Sequence, residues 1–305
     1  MSFSNDVRKE ICESISDKNQ RYSCLYGMLL FSRTLSSERI VFQTESKLSA
    51  DTFSELFSCI FKAVPECRSN ERKSGTVLFT FEITDRELIG TILSKYRIDP
   101  DQPRRINAEM ITTSSLGIFT AGIFLACGSV NDPSKEYHLE FSVPEDDLAQ
   151  ELVALLGDIG VKAKTVTRRG AKVVYIKGSE SIEDTLTFIG AQQCTLEIMN
   201  VKICKDVRNK VNRIANCDSA NIDKVVNAAM KQIEDIKLID EVSGLDSLTP
   251  ELREVAQLRL ENSGMSLSDI GEALSDPISR SGVNHRFQKL AKIADDIRKR
   301  GENET

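Results

Sequence analysis

The chain contains no tryptophan, only two histidines, and little glycine or proline, 16 and 7 in 305 residues. So little of the last two excludes long disordered linkers. Eight cysteines are scattered without a CxxC pair, and with two histidines they leave no clustered ligand set. They read as buried thiols of a reducing compartment, and no metal site is expected. No apolar run approaches the ~18 residues that span a membrane. The opening MSFSNDVRKEICESI carries charge where a signal peptide has its apolar core, so the expectation is a cytosolic protein without a membrane partner. A phosphate loop of the form GxxxxGKS or GxxxxGKT is also missing, which leaves ATP or GTP chemistry without support and implies no cofactor. Positive charge is in deficit: the net charge is −6 and the pI near 5.3. That argues against nucleic acid only if charge is evenly spread, because binding depends on the local field.

What is present is a soluble, globular chain, 40% apolar and long enough for two or three domains. Its main feature is an internal near-repeat. LYGMLLFSR (Leu25 to Arg33) returns 95 residues later as TAGIFLACG (Thr120 to Gly128), each followed by a turn and a strand-like run, IVFQTES and YHLEFSV. In the first half the patterns predict a helix from Asn5 to about Ile15 capped by Ser4, a second from Asn19 through the motif, and a strand from Arg39 to Ser46. A helix from Asp51 to Ala63, a hairpin folding at Lys73-Ser74-Gly75 and a helix from Thr84 to Tyr96 follow. The second half repeats the order: motif helix Ser115 to Ala126, strand Tyr137 to Val143, helix Glu145 to Leu156, hairpin at Arg169-Gly170, helix Ser179 to Ile189. Gly75 and Gly170 share the 95-residue offset of the motifs, so two landmarks give one duplication.

From Lys205 the pattern turns helical. An apolar stripe of Val207, Val211, Ile214, Ile222, Val225, Val226, Ala229, Ile233 and Ile236 runs to about Ile239 at helical spacing. A break at Val242 to Leu245 precedes a helix from Pro250 to Glu261, opened by Thr249 as cap and Pro250 at the first helical position. Ser266 caps a second helix ending near Leu274, and Ser279 caps a last one in which Val283, Phe287, Leu290 and Ile293 or Ala294 face inward. This is a helix-turn-helix pattern with a turn about two residues longer than the shortest form. Charge is segregated within it: Asp246 to Asp276 carries seven acids and two bases, Pro277 to Gly301 seven bases and two acids. Arg280, Ser281, Asn284 and His285 stand where such helices reach base edges, since Arg can pair guanine and Asn adenine. Arg286, Lys289 and Lys292 suit phosphates, and Ser266 and Ser279 complete the expected DNA-binding set. His285 reads equally as a packing residue, and Arg298-Lys299-Arg300 as a solvated helix end complementing the dipole.

The two motifs resemble LAGLIDADG. Thr120, Ala121, Gly122, Ile123, Phe124 and Ala126 match its positions in order, and Gly27 keeps the third position of the first copy. LAGLIDADG nucleases end each motif helix in a carboxylate that holds divalent metal at the scissile phosphates; here Ser32 and Cys127 stand at those positions. A hydroxyl is a weak neutral ligand and a thiol too soft for magnesium. Asp132 and Glu38 are the nearest acids, and neither has a matching partner in the other half, so no catalytic residues and no enzyme activity are expected. Gly27 and Gly122 keep another role, letting the motif helices approach closely. The concave sheet of such a fold is where nucleases lay DNA, and Val161 to Lys177 offers Lys162, Lys164, Arg168, Arg169, Lys172 and Lys177 without an acid. A second DNA surface and an ordinary solvated hairpin are equal readings of it.

A degenerate LAGLIDADG repeat before a helix-turn-helix resembles the WhiA family of Gram-positive sporulation and cell-division regulators. The resemblance is carried by MSFSNDVRKEI, AGIFLACGSVNDPSKEYHLEF, NRIANCDSANIDKVVNAAMKQIEDI, and LTPELREVAQLRLEN leading into LSDIGEALSDPISRSGVNHRFQKL. It implies an α+β fold, a duplicated αββαββα saddle followed by an all-α helix-turn-helix domain. The halves would span residues 1–100 and 101–204, with a helical linker over 205–245 and the DNA-binding domain over 246–305. It also implies a transcription regulator influencing division and chromosome segregation, cytoplasmic at the nucleoid. The expected partners are double-stranded DNA at promoter regions and other transcription or division proteins. The alternative is a protein-interaction or ligand-sensing module with weak accessory DNA binding.

Overall fold

A computed structural model describes residues 2–72, 75–168 and 170–302. Lys73 and Ser74 at the first hairpin tip, and Arg169 at the second, lie outside the described residues. The chain divides into two compact units, Met1–Asp206 and Val207–Thr305.

The first unit is built twice over. Its first half runs α1 (Phe3–Ser14), α2 (Lys18–Leu30), β1 (Thr34–Leu35), β2 (Ile40–Thr44), α3 (Lys47–Phe61), β3 (Cys67–Glu71), β4 (Val77–Ile83) and α4 (Arg86–Lys95). Its second half runs α5 (Leu116–Cys127), β5 (Gly128–Val130), β6 (His138–Val143), α6 (Asp146–Asp158), β7 (Lys164–Arg168), β8 (Ala171–Lys177) and α7 (Ser179–Phe188). Each half folds an antiparallel four-stranded sheet, ordered β1-β2-β4-β3 and β5-β6-β8-β7, so the duplicated αββαββα saddle is present. The short strands β1 and β5 were not separable from turns in the sequence. Ser4 is not the cap of α1: the helix begins before it, at Phe3, and the Ser4 hydroxyl accepts from Arg8 Nη1 at 2.9 Å. The helix expected from Asp51 starts earlier, at Lys47, where the Ser46 hydroxyl accepts from the Ser49 N–H.

The motif helices α2 and α5 are buried on nearly every side and pack against each other. A Cβ on Gly27 would fall on the Phe119 carbonyl oxygen, and one on Gly122 on the Cys24 carbonyl. No larger residue fits this crossing without parting the backbones. One core joins the halves, where the Tyr26 and Phe119 rings meet at 5.1 Å, and extends over stacked Phe42 and Phe53 in the first and Phe124 against Phe141 in the second.

The second unit begins within α8 (Gln192–Ser243), a helix that starts well before Lys205. The apolar stripe on it is covered only near its end: Ile236 and Ile239 are fully buried, whereas Val207, Val211, Ile214, Ile222, Val225 and Val226 are exposed. After α8 come α9 (Pro250–Glu261), α10 (Leu267–Ala273) and α11 (Arg280–Glu302). Thr249 precedes Pro250 as expected, but its side chain makes no cap hydrogen bond. No helix among the described residues is long and apolar enough to cross a membrane.

Candidate nucleic-acid interface

The helix-turn-helix is positioned by a compact core of Leu252, Val255, Ile270, Val283, Phe287 and Leu290, closed by Ile236 and Ile239 of α8. Ser266 caps α10 in a reciprocal box with Asp269, and the Ser279 hydroxyl accepts from the Gly282 N–H at 3.3 Å to start α11. The turn between α10 and α11 is fixed at two points. The Glu254 carboxylate accepts from both the N–H and the hydroxyl of Ser275, at 2.7 Å each, and these bonds hold its pKa below the ordinary value. Further along, the Ile278 N–H donates to the Gly271 carbonyl at 3.1 Å, and a Cβ at Gly271 would strike the Ile278 carbonyl.

Sequence reasoning missed Arg259. It is only 2% exposed, its Nη1 donates to the carbonyls of Ser263 and Met265 at 3.3 and 2.7 Å, and its guanidinium lies over the Phe287 ring. Burial lowers its pKa. It thereby ties the α9–α10 connection to α11, and nothing in a lone arginine of the sequence signals this.

All of Val283, Phe287, Leu290 and Ala294 are buried, and Ile293 is partly so, which fixes the rotation of α11. At about 100° per residue the outward arc then holds Ser281, His285, Gln288 and Lys292, with Asn284 and Lys289 at its margins. Each of these is exposed. Gln288 was not singled out from the sequence. Arg280 does not share the face of His285: five residues separate them, a rotation of about 140°. It is exposed but turned toward α8, where it lines a recess with Lys224. Arg286 is half-buried and donates to the Glu251 carbonyl at 3.5 Å. Arg298 is engaged by Asp235 and Asp295, at 2.5 and 2.9 Å. Ser266 and Ser279 use their hydroxyls as caps.

In the first unit the basic hairpin residues do not form one surface. Cross-strand partners share a face, and the register pairs Lys164 with Tyr175 and Glu140 with Tyr175, while His138 faces Lys177. Alternation then groups Lys164, Arg168 and Lys177 with His138 and Glu140 on the face away from the helices. Arg168 Nη1 and His138 Nε2 both meet Glu140, at 2.9 and 3.0 Å. Lys172 lies on the opposite face, ion-paired to Asp146 at 2.9 Å, and Lys162 precedes the strand.

At the positions where the two motifs would carry their acids, the Ser32 hydroxyl donates to the Thr34 carbonyl at 3.2 Å and is buried. The Cys127 thiol donates to the Ile123 carbonyl, and desolvation raises its pKa, so it stays neutral. Two arginines finish the motif helices crosswise. Arg104, preceding α5, donates to the carbonyls of Leu30 and Ser32 at the end of α2, at 3.2 and 2.6 Å. Arg8 in α1 donates to the Gly128 carbonyl at the end of α5, at 2.6 Å. Arg104 is ion-paired with Glu145 at 2.9 Å, so uncompensated positive charge stands only beside Cys127, where Arg8 has no ion-pair partner among the described residues and disfavours a cation. Asp132 is exposed and accepts from the Ser134 N–H and hydroxyl, and Glu38 is exposed in the β1–β2 turn.

Known families and structures resemble this architecture in both units. The WhiA LAGLIDADG-like domain matches residues 116–208, and the WhiA C-terminal HTH domain residues 211–294. A relative named probable cell division protein WhiA from Clostridium acetobutylicum is 37% identical over 99% of this chain and all of its own length. One of the same name from Carboxydothermus hydrogenoformans is 35% identical over 98% of each. The crystal structure of full-length DUF199/WhiA from Thermatoga maritima superposes with a TM-score of 0.61 at 26% identity, covering 97% of this chain and 99% of that one.

Proposed function

The chain belongs to the WhiA family, and on that premise we propose that it is a sequence-specific DNA-binding transcription regulator acting in cell division, sporulation and chromosome segregation. Its place is the cytoplasm, at the nucleoid, with double-stranded promoter DNA as ligand and other transcription or division proteins as partners. The observation that carries this reading is the outward face of α11. It presents amide, imidazole and ammonium groups with no acid before Asp295, on a helix whose rotation is locked by Val283, Phe287 and Leu290. Asn284 and Gln288 can each pair with adenine, and His285 can meet a base edge, while Lys289 and Lys292 reach phosphates.

Competition gel shifts with the full chain test it. Asn284→Ala or His285→Ala should cost about 1–3 kcal/mol on the preferred site and much less on random DNA, whereas Lys289→Ala weakens both alike. If both ratios of specific to non-specific affinity stay at the wild-type value, α11 does not read bases.

The functional division we propose has halves over 1–100 and 101–204, a helical linker over 205–245, and a DNA-binding end over 246–305 that draws Ile236 and Ile239 of the linker into its core. The saddle serves as an accessory DNA contact without cleaving, because the groups at Ser32 and Cys127 are neutral and the Arg8 cation stands beside Cys127. Supercoiled plasmid incubated with the protein and magnesium or manganese should remain supercoiled; nicking that disappears in Asp132→Asn would reverse this assignment.

A further inference from the structure

Between α8 and the start of α10 and α11 lies a recess of about 450 Å³ whose charge is one-sided. Among the described residues Lys224, Arg259 and Arg280 line it, and no acidic residue does. Among the described residues, neither Lys224 nor Arg280 has an ion-pair partner at all. Arg259 is buried with carbonyls as its only hydrogen-bond acceptors among the described residues, and its Nε has none there. A buried cation without a counter-charge is costly, and three cations around one cavity repel one another, so the recess is electrostatically complementary to an anion of more than one charge. Two further features define the rest of the ligand. Val225, Met265 and Leu267 give the recess an apolar wall, and the buried Gln232 Oε1 is an acceptor without a donor among the described residues.

We propose that this recess binds a small organic phosphate: a phosphate group among Lys224, Arg259 and Arg280, an organic body against the apolar wall, and an N–H or O–H on that body donating to Gln232. The volume falls within the usual range for small-molecule sites. DNA backbone offers the same phosphate chemistry, but it has no apolar body to fill the wall. The recess also lies on the α8 side of α11, turned away from the arc of Ser281 and His285. The proposal therefore stands independently of the reading of α11 as the base-contacting helix.

The test is calorimetric titration of the full chain, without DNA, using AMP, glucose 6-phosphate and 3-phosphoglycerate, with inorganic phosphate and adenosine as the two halves of a ligand. At least one organic phosphate should bind at least tenfold more tightly than either half. Lys224→Ala combined with Arg280→Ala should weaken that binding at least tenfold while the circular dichroism spectrum stays unchanged. Filling the wall by Val225→Trp should abolish it with all three cations in place. Failure of all three organic phosphates to bind overturns the proposal, as does equal binding to the variants. Binding of inorganic phosphate as tight as that of the organic phosphates also overturns it, and assigns the cations to DNA backbone instead.

Discussion

Single residues set the closest contact in the molecule. Gly27 and Gly122 were identifiable from the motif because a repeated glycine in an apolar helix signals close approach, and the backbone carbonyls of Phe119 and Cys24 occupy the space a Cβ would need. We predict that Gly122→Ala destabilises the full chain by about 1–3 kcal/mol through overpacking. Gly157→Ala, on the exposed side of α6 with nothing near its absent Cβ, should instead stabilise it by about 0.5–1 kcal/mol. Urea unfolding of both variants measures the contrast, and equal effects would remove close approach as the reason for Gly122. The buried arginines were not legible in the same way. Arg8, Arg104 and Arg259 look like solvated charges in the sequence. The carbonyls that Arg8 and Arg104 satisfy lie 120 and 74 residues away for Gly128 and Leu30, and local pattern carries no information about such partners.

At the scale of elements, periodicity located the long helices and the paired strands β2, β4, β6 and β8, because each buries one face. It missed β1 and β5, two and three residues long, which are too short to show alternation. It also treated the Val161 to Lys177 hairpin as one basic surface, whereas a strand turns successive side chains to opposite faces and sends Lys172 to Asp146. This splits the expected effect of substitution. If the face away from the helices lies on DNA, Lys164→Ala and Lys177→Ala should each flatten the dependence of log affinity on log salt by about 0.9, equally on all sequences. Lys172→Ala should leave the slope unchanged. Equal slopes for all three variants would leave the hairpin as a solvated edge.

For the whole molecule, the duplication was legible because two offsets agreed, and the outline of the DNA-binding end because charge changes sign along it. The extent of the second unit was not. The apolar stripe on α8 reads as continuous, yet only Ile236 and Ile239 enter the core of α9 to α11, and Asp235 beside them holds Arg298. A fragment beginning at Asp246 therefore lacks two fully buried isoleucines, each worth about 1.5–3 kcal/mol. It should unfold at markedly lower denaturant than one beginning near Lys231, by circular dichroism; matching midpoints would show that α8 adds nothing to this core. In the first unit the crosswise arginines carry a different consequence. Arg8 completes the motif helix of the half to which it does not belong, and Arg104 does the same in return. Each half is thus the other's missing ligand. Fused in one chain, they keep the reciprocity of a symmetric dimer, and a change at either arginine is felt first in the opposite copy.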